Sequence, residues 1–302
     1  MTSQSISELL SQVSTVASVK ASTLGMSRLD KGASKEAERS HNSMSGIAKV
    51  NVSRLAGAED RVKELVSLQR DGRQVLIDIT TAWGDRRLLP NTLIEKFMGQ
   101  WMPIKKTFEE KVNTFIYDAP QLIENALMNK GSFAVDIPDM EEIKQAFKLE
   151  FELEPVPDVS KFNSNILDKD FEAEMKRRFE ANIEAAYTTA QADAVHRVAK
   201  PLEKLIERMN AYSQKEIDNA KGLDTKGQGF FRDTVITNIQ EIADVFGQWN
   251  LTADPVMQSL DDALSAFGGI EAEDLRKHAD LREDTARRAQ KILDDIRAGG
   301  FL

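Results

Sequence analysis

Cysteine is absent from the 302 residues. That excludes disulfides, a thiolate nucleophile and any Cys-ligated metal or iron–sulfur cluster. Histidine is scarce: His41, His196 and His278 lie far apart, and none belongs to an H-E-x-x-H or similar ligand spacing. His196 has Asp193 one helical turn before it, but the pair reads as an exposed helix face. No apolar run approaches the roughly 18 residues that a membrane span needs. The opening "MTSQSISELLSQ" has no basic stretch followed by an apolar one, so a secretory signal is not expected. An intracellular protein without membrane attachment is the expectation.

Recognisable catalytic machinery is missing too. "GLDTKGQG" (Gly222–Gly229) has P-loop glycine spacing, but Gln228 stands where the phosphate-binding Lys belongs and no apolar strand precedes it. There is no G-x-S-x-G elbow and no Rossmann glycine pattern after a strand. Adjacent acids such as Glu109/Glu110, Asp261/Asp262 and Asp294/Asp295 point apart on a helix and make poor acid–base dyads. Glu150, Glu152 and Glu154 share a strand face and could ring a hard cation, although a wet strand face explains them as well. No catalytic residue, cofactor or metal is expected, and the chain reads as a non-enzyme.

What is present is a folded-protein composition, 41% hydrophobic and 29% charged, long enough for two structural units. Charge is uneven. Residues 1–130 carry 18 Lys/Arg against 15 Asp/Glu, a balance of +3, and residues 131–302 carry 22 against 34, a balance of −12. An acidic second half would repel phosphate over much of its surface, which argues against non-specific wrapping of nucleic acid.

Periodicity predicts mostly helices. A short one is expected over 2–13, another over 35–48, and a long one from Gly57 to "WGDRRLLP" (Trp83–Pro90), where Gly and Pro end it in a loop. Asn91 should cap the next helix, which Pro103 should kink or interrupt, with a further turn opening at Pro120. Phe171 to Tyr212 repeats at threes and fours, long enough for an antiparallel partner or a self-associating arm, with Pro201 kinking or dividing it. Helices follow at about 230–247, 254–267, 271–278 and 281–298. "FKLEFELEP" breaks the pattern: Phe147, Leu149, Phe151 and Leu153 alternate with charges, as in a half-buried strand. Its candidate partners, one or both, are an extended ribbon over Val16–Ser34 and a short strand over Lys49–Leu55. The expected fold class is mainly α, with a small antiparallel sheet in the N-terminal half. Two regions are expected, 1–160 with the sheet and 161–302 opening on the long helix.

One basic constellation stands out. Trp83, Arg86 and Arg87 on the presumed loop, followed by Lys105 and Lys106, could bind phosphate or stack a base. Packing and capping account for the same residues.

Several blocks together carry a resemblance: "WGDRRLLP", "FEEKVNTFIYDAPQLIENA", "DIPDMEEIKQAFKLEFELEPVPDVSKF", "FFRDTVITNIQEIADVFGQWNLTADP" and "AEDLRKHADLREDTARRAQKIL". As a set they resemble a protein family of tailed bacteriophages and some bacterial gene clusters. Its genes often lie near a MoxR-type AAA+ ATPase and a von Willebrand-A, cobalt-chelatase-like protein. Where the family pattern commonly has Tyr-Pro, this chain has Ile137 and Pro138. The resemblance supplies no catalytic motif. It implies an accessory or adaptor in the host cytoplasm that binds protein partners, an AAA+ ATPase among them. A nucleic-acid-binding replication or recombination accessory, and a self-associating virion or assembly component, are the other readings.

Overall fold

The computed structural model describes residues 5–164, 166, 168–223 and 232–299. In chain order its elements are α1 (Ile6–Val13), β1 (Ser14–Ser22), β2 (Ser27–Asp30), α2 (Lys31–Ser40), β3 (Val50–Ser53), α3 (Glu59–Ile79), β4 (Thr81–Trp83) and β5 (Arg86–Pro90). There follow α4 (Ile94–Asn129), α5 (Met140–Ala146), β6 (Lys148–Pro155), α6 (Lys169–Ala220), α7 (Thr234–Phe246), α8 (Pro255–Ser265), α9 (Ala272–Lys277) and α10 (Ala279–Ala298). The fold is mainly α with a small antiparallel sheet in the N-terminal half.

Four strands form one sheet in the order β4-β5-β1-β6, and β2 and β3 form a separate pair. The alternating strand is therefore β6, and its neighbour is β1, which overlaps the start of the expected Val16–Ser34 ribbon. Of the two candidates only this one pairs with β6: β3 pairs with β2, Ser27 opposite Ser53 and Asp30 opposite Val50. Along β6 the alternation fades, with Leu149 buried, Phe151 half-buried and Leu153 exposed.

Trp83–Pro90 is not the loop that its Gly and Pro suggested. It forms most of a hairpin in which Thr81 pairs with Leu88 and Trp83 with Arg86. Gly84 provides the φ of +59° at its tight turn. On its other edge β5 pairs with β1, Ser14 opposite Pro90.

The prolines do not interrupt their helices, which leaves the kinking alternative. One helix, α4, runs through both Pro103 and Pro120, and α6 continues for 52 residues through Pro201. Pro103 and Pro120 are exposed. On that face the carbonyls left without a helical donor can bond to water, so the helix need not break. Asn91 is no cap either. It opens a 3₁₀ turn, and its side chain accepts a bond from the Thr15 hydroxyl (2.8 Å) and donates to the Gln12 carbonyl (3.1 Å).

Two compact units divide the chain, each assembled from separate segments. One comprises residues 1–17, 77–95 and 153–302, the other 18–76 and 96–152. The sequence boundary at residue 160 falls inside the first. Its core gathers Leu10, Val16, Leu88, Val156, Ile183 and Tyr187 from all three segments. Here α10 lies antiparallel along α6, since Arg282 bonds to Ser213 and Glu216 while Arg297 approaches Glu203.

In the second unit, Phe97 and Trp101 of α4 meet Phe151 of β6 edge to face, with ring centroids 5.5 Å apart in both pairs. The same unit encloses Arg54, whose side chain is 4% exposed. Its guanidinium donates to both Glu142 oxygens (2.7 and 2.8 Å) and to the Asp136 carbonyl (2.7 Å). With those partners the buried charge is satisfied.

Candidate functional site

The basic constellation divides between the units. Trp83, Arg86 and Arg87 belong to the first, Lys105 and Lys106 to the second. Trp83 is half-buried against the cluster of Leu10, Val16 and Leu88. Arg86 pairs with Glu154 at 2.5 Å. Arg87 donates to the Thr80 hydroxyl (3.0 Å), the Thr80 carbonyl (2.7 Å) and Asp193 (3.1 Å). Lys105 donates to the Leu149 carbonyl (2.7 Å) and pairs with Glu109 at 3.2 Å. Lys106 reaches Glu110 at 4.0 Å, and both are exposed.

Arg87 takes part in a larger arrangement that periodicity did not reveal. The last carbonyls of a helix lack internal donors and carry partial negative charge. At the end of α3, Arg197 of α6 donates to the carbonyls of Thr80 (2.6 Å) and Asp78 (3.1 Å), and Trp249 Nε1 donates to that of Ile79 (2.8 Å). The Arg197 guanidinium also lies over the Trp249 ring, 4.6 Å from its centroid. Burial lowers the Arg197 pKa, while the nearby Asp193 carboxylate opposes that shift. Asp193 is committed here and not to His196: it accepts the Ala82 N–H (2.8 Å) and the Arg87 bond. The constellation thus ties a helix end to a hairpin. A lone Trp-Arg-Arg run could not disclose this, because its partners come from α6 and from Trp249.

The remaining chemical candidates are dispersed. His41, His196 and His278 are all exposed. Among the described residues no three His, Asp or Glu side chains gather as metal ligands. Glu152 pairs with Lys20 at 2.5 Å. The P-loop-like glycines lie outside the described residues from position 224 onward. A shallow pocket of about 380 Å³ opens between α1 and α6, near Ile6, Glu184, Tyr187 and Asp254. Burial raises the Tyr187 phenol pKa, and its hydroxyl shares a 3.3 Å hydrogen bond with Thr252.

A stronger surface feature lies on α4. Its buried side chains, Phe97, Trp101, Phe108, Phe115, Ala119 and Ala126, fall within an arc of roughly 40° at about 100° per residue. Met102, Tyr117, Leu127 and Met128 fall within roughly 100° on the opposite side, along about 39 Å of helix. Tyr117 is 84% exposed and Met128 67%. Exposed Lys106, Glu109, Glu110, Asn113 and Glu124 share that arc, so the four apolar side chains are set among polar ones, a mixed surface in which Tyr and Met are residue types enriched at contact surfaces. The sequence reading took only the inward face of this helix, since periodicity identifies the face that is buried.

Comparisons of the chain with protein-family models, curated proteins and solved structures return no match in any of the three.

Proposed function

We propose that this protein is a non-enzymatic phage accessory that works by binding protein partners in the host cytoplasm, a MoxR-type AAA+ ATPase among them. What supports protein binding is the exposure of Met102, Tyr117, Leu127 and Met128 on the outer face of α4, among polar neighbours. Tyr and Met supply large contact area, and aromatic residues anchor many interfaces. The second support is the engagement of Arg86, Arg87 and Lys105, which leaves these cations poorly placed to hold phosphate. The choice of ATPase rests on the family resemblance alone.

The test is affinity purification of the tagged full chain from its native host cell, with and without nuclease, followed by mass spectrometry. A Tyr117→Asp/Met128→Asp double variant runs in parallel. Expected is a nuclease-resistant AAA+ ATPase, at least about tenfold depleted with the variant, since losing an interface anchor costs 2 kcal/mol or more. Recovery dependent on nucleic acid, or an ATPase retained equally by the double variant, would overturn the reading.

A further inference from the structure

The segment between α2 and β3 displays two large apolar side chains, Met44 (78% exposed) and Ile47 (67%). They are held outward by a tightly bonded loop. The end of α2 carries a left-handed residue, Asn42 (φ 49°), and the Ser43 N–H returns to the Glu38 carbonyl at 2.9 Å. This is a Schellman closure with Asn in place of the usual Gly. The Glu38 carboxylate, nearly buried, accepts the Gly46 N–H at 2.5 Å, and the Ser34 hydroxyl accepts the Val50 N–H at 3.0 Å. The Ile47 N–H closes a turn onto the Met44 carbonyl (3.5 Å), which puts both side chains at the tip. A loop ordered in advance gives up little entropy on docking.

The surroundings of the tip are basic. Lys31, Lys35 and Arg39 recur every fourth residue along α2, and Lys49 follows the loop. All four are exposed, and none takes part in an ion pair among the described residues. Glu36 is the exposed carboxylate between them.

Elsewhere on the same chain is a surface of opposite character. A groove of about 490 Å³ runs between the end of α6 and the start of α10. Its apolar lining includes Met209, Ile217 (48% exposed) and Ala286. Its charged lining is Glu216, Asp280 and Glu283, together with one cation, Arg282, which is buried beneath. Arg282 is spent internally on the carbonyls of Leu275 (2.9 Å) and Arg276 (3.0 Å) and on Glu216. Glu216 is thus paired, and Glu283 lies 3.6 Å from the exposed Arg287, while Asp280 takes part in no ion pair among the described residues. The groove offers an apolar floor with a net acidic rim, the complement of a basic loop with two apolar side chains.

We infer that the Met44–Ile47 tip of one copy seats in the α6–α10 groove of a second copy, with Lys35, Arg39 and Lys49 facing Asp280 and Glu283. The two surfaces are different, so the contact is heterologous. A pair of copies keeps one free tip and one free groove, and assembly continues head to tail into rings or filaments. This goes beyond the adaptor reading and does not depend on it.

Sedimentation velocity on the full chain tests it, across a concentration series at about 0.05 M and about 0.5 M salt. The expected mass at low salt exceeds twice 33.8 kDa and falls toward the monomer at high salt. Two variants follow, Met44→Asp/Ile47→Asp for the tip and Ile217→Arg for the groove, each with a circular-dichroism melt to show that it folds. Each alone should remain monomeric. Mixed in equal amounts, they should form a dimer and stop there, because one supplies the only intact groove and the other the only intact tip. Wild type that is monomeric throughout, variants that assemble like wild type, or a mixture that stays monomeric would each overturn the inference. So would monomeric wild type that pellets with phosphatidylserine vesicles through the tip, which would assign the loop to a lipid surface instead.

Discussion

Gly247 begins the 3₁₀ turn after α7 with an ordinary φ of −59°, so backbone freedom is not what the position requires. Space is. A Cβ there would stand 2.5 Å from Asp261 Oδ2 and 2.8 Å from its Cγ. The same carboxylate accepts the Gly247 N–H, while burial and the neighbouring Asp262 push its pKa up. Gly247→Ala should therefore destabilise by about 1–3 kcal/mol through overpacking, and Gly247→Ala/Asp261→Ala should recover much of that. Urea unfolding of the four proteins in the cycle reads the coupling, and strictly additive losses would refute the contact. Asp30 is a second residue whose role can be titrated. It caps α2 by accepting the Ala33 N–H (2.9 Å), and it also accepts the Ala134 N–H (2.8 Å). Those two backbone donors lower its pKa below the ordinary value. A lowered folded pKa means that its contribution is present above the unfolded pKa, near 4, and is lost as pH falls through the folded value. Asp30→Asn should thus reduce stability at pH 7 and flatten its dependence below about pH 4. Parallel acid-unfolding curves for variant and wild type would show that Asp30 contributes nothing there.

At the scale of elements, the end of α3 illustrates what a periodic pattern does and does not reveal. Val62, Leu65, Leu76 and Ile79 mark the buried face of this helix, and they are legible in the sequence because burial repeats every 3.6 residues. What fastens its C-terminus is not legible. Arg197 and Trp249 come from more than 100 residues away and carry no local signal. The hairpin at β4 and β5 was hidden for a different reason: three- and five-residue strands are too short for a period of two to register. Whether the prolines of α4 interrupt it could not be read from the sequence, because proline's cost depends on whether the freed carbonyl faces water. Arg197→Met keeps much of the aliphatic packing and removes the donors to Thr80 and Asp78. A loss of about 1–2 kcal/mol follows from taking a charged donor off the carbonyls of the buried Thr80 and the exposed Asp78, since Arg87 still donates to the Thr80 carbonyl. Arg197→Lys should rescue only part of it, because an ammonium cannot reproduce the planar fork. Full rescue by Lys in chemical denaturation would mean that charge alone matters at this helix end.

For the whole molecule, the division of the chain matters more than any single contact. A cut at residue 160 looks natural in the sequence, where Pro155 and Pro157 end a strand and a polar stretch precedes the long helix. Yet Leu10, Val16, Leu88 and Val156 lie on one side of that cut, and Ile183, Tyr187 and Ala190, with which they share a core, lie on the other. Linear patterning shows where helices begin and end but not which segments return to a common core, because that pairing is made by long-range burial. Residues 161–302 expressed alone would leave the inner face of α6 without its cover. The fragment carries a single tryptophan, Trp249, 3% exposed in the full chain and bonded to the Ile79 carbonyl that the fragment lacks. Its fluorescence should therefore be red-shifted and its melt uncooperative. Adding residues 1–160 should shift the emission back toward the blue and restore a cooperative transition, although those residues bring Trp83 and Trp101, so the second strand needs Trp83→Phe/Trp101→Phe to keep the signal clean. A fragment that melts cooperatively on its own, with Trp249 already blue, would show that residues 161–302 fold without the first two segments.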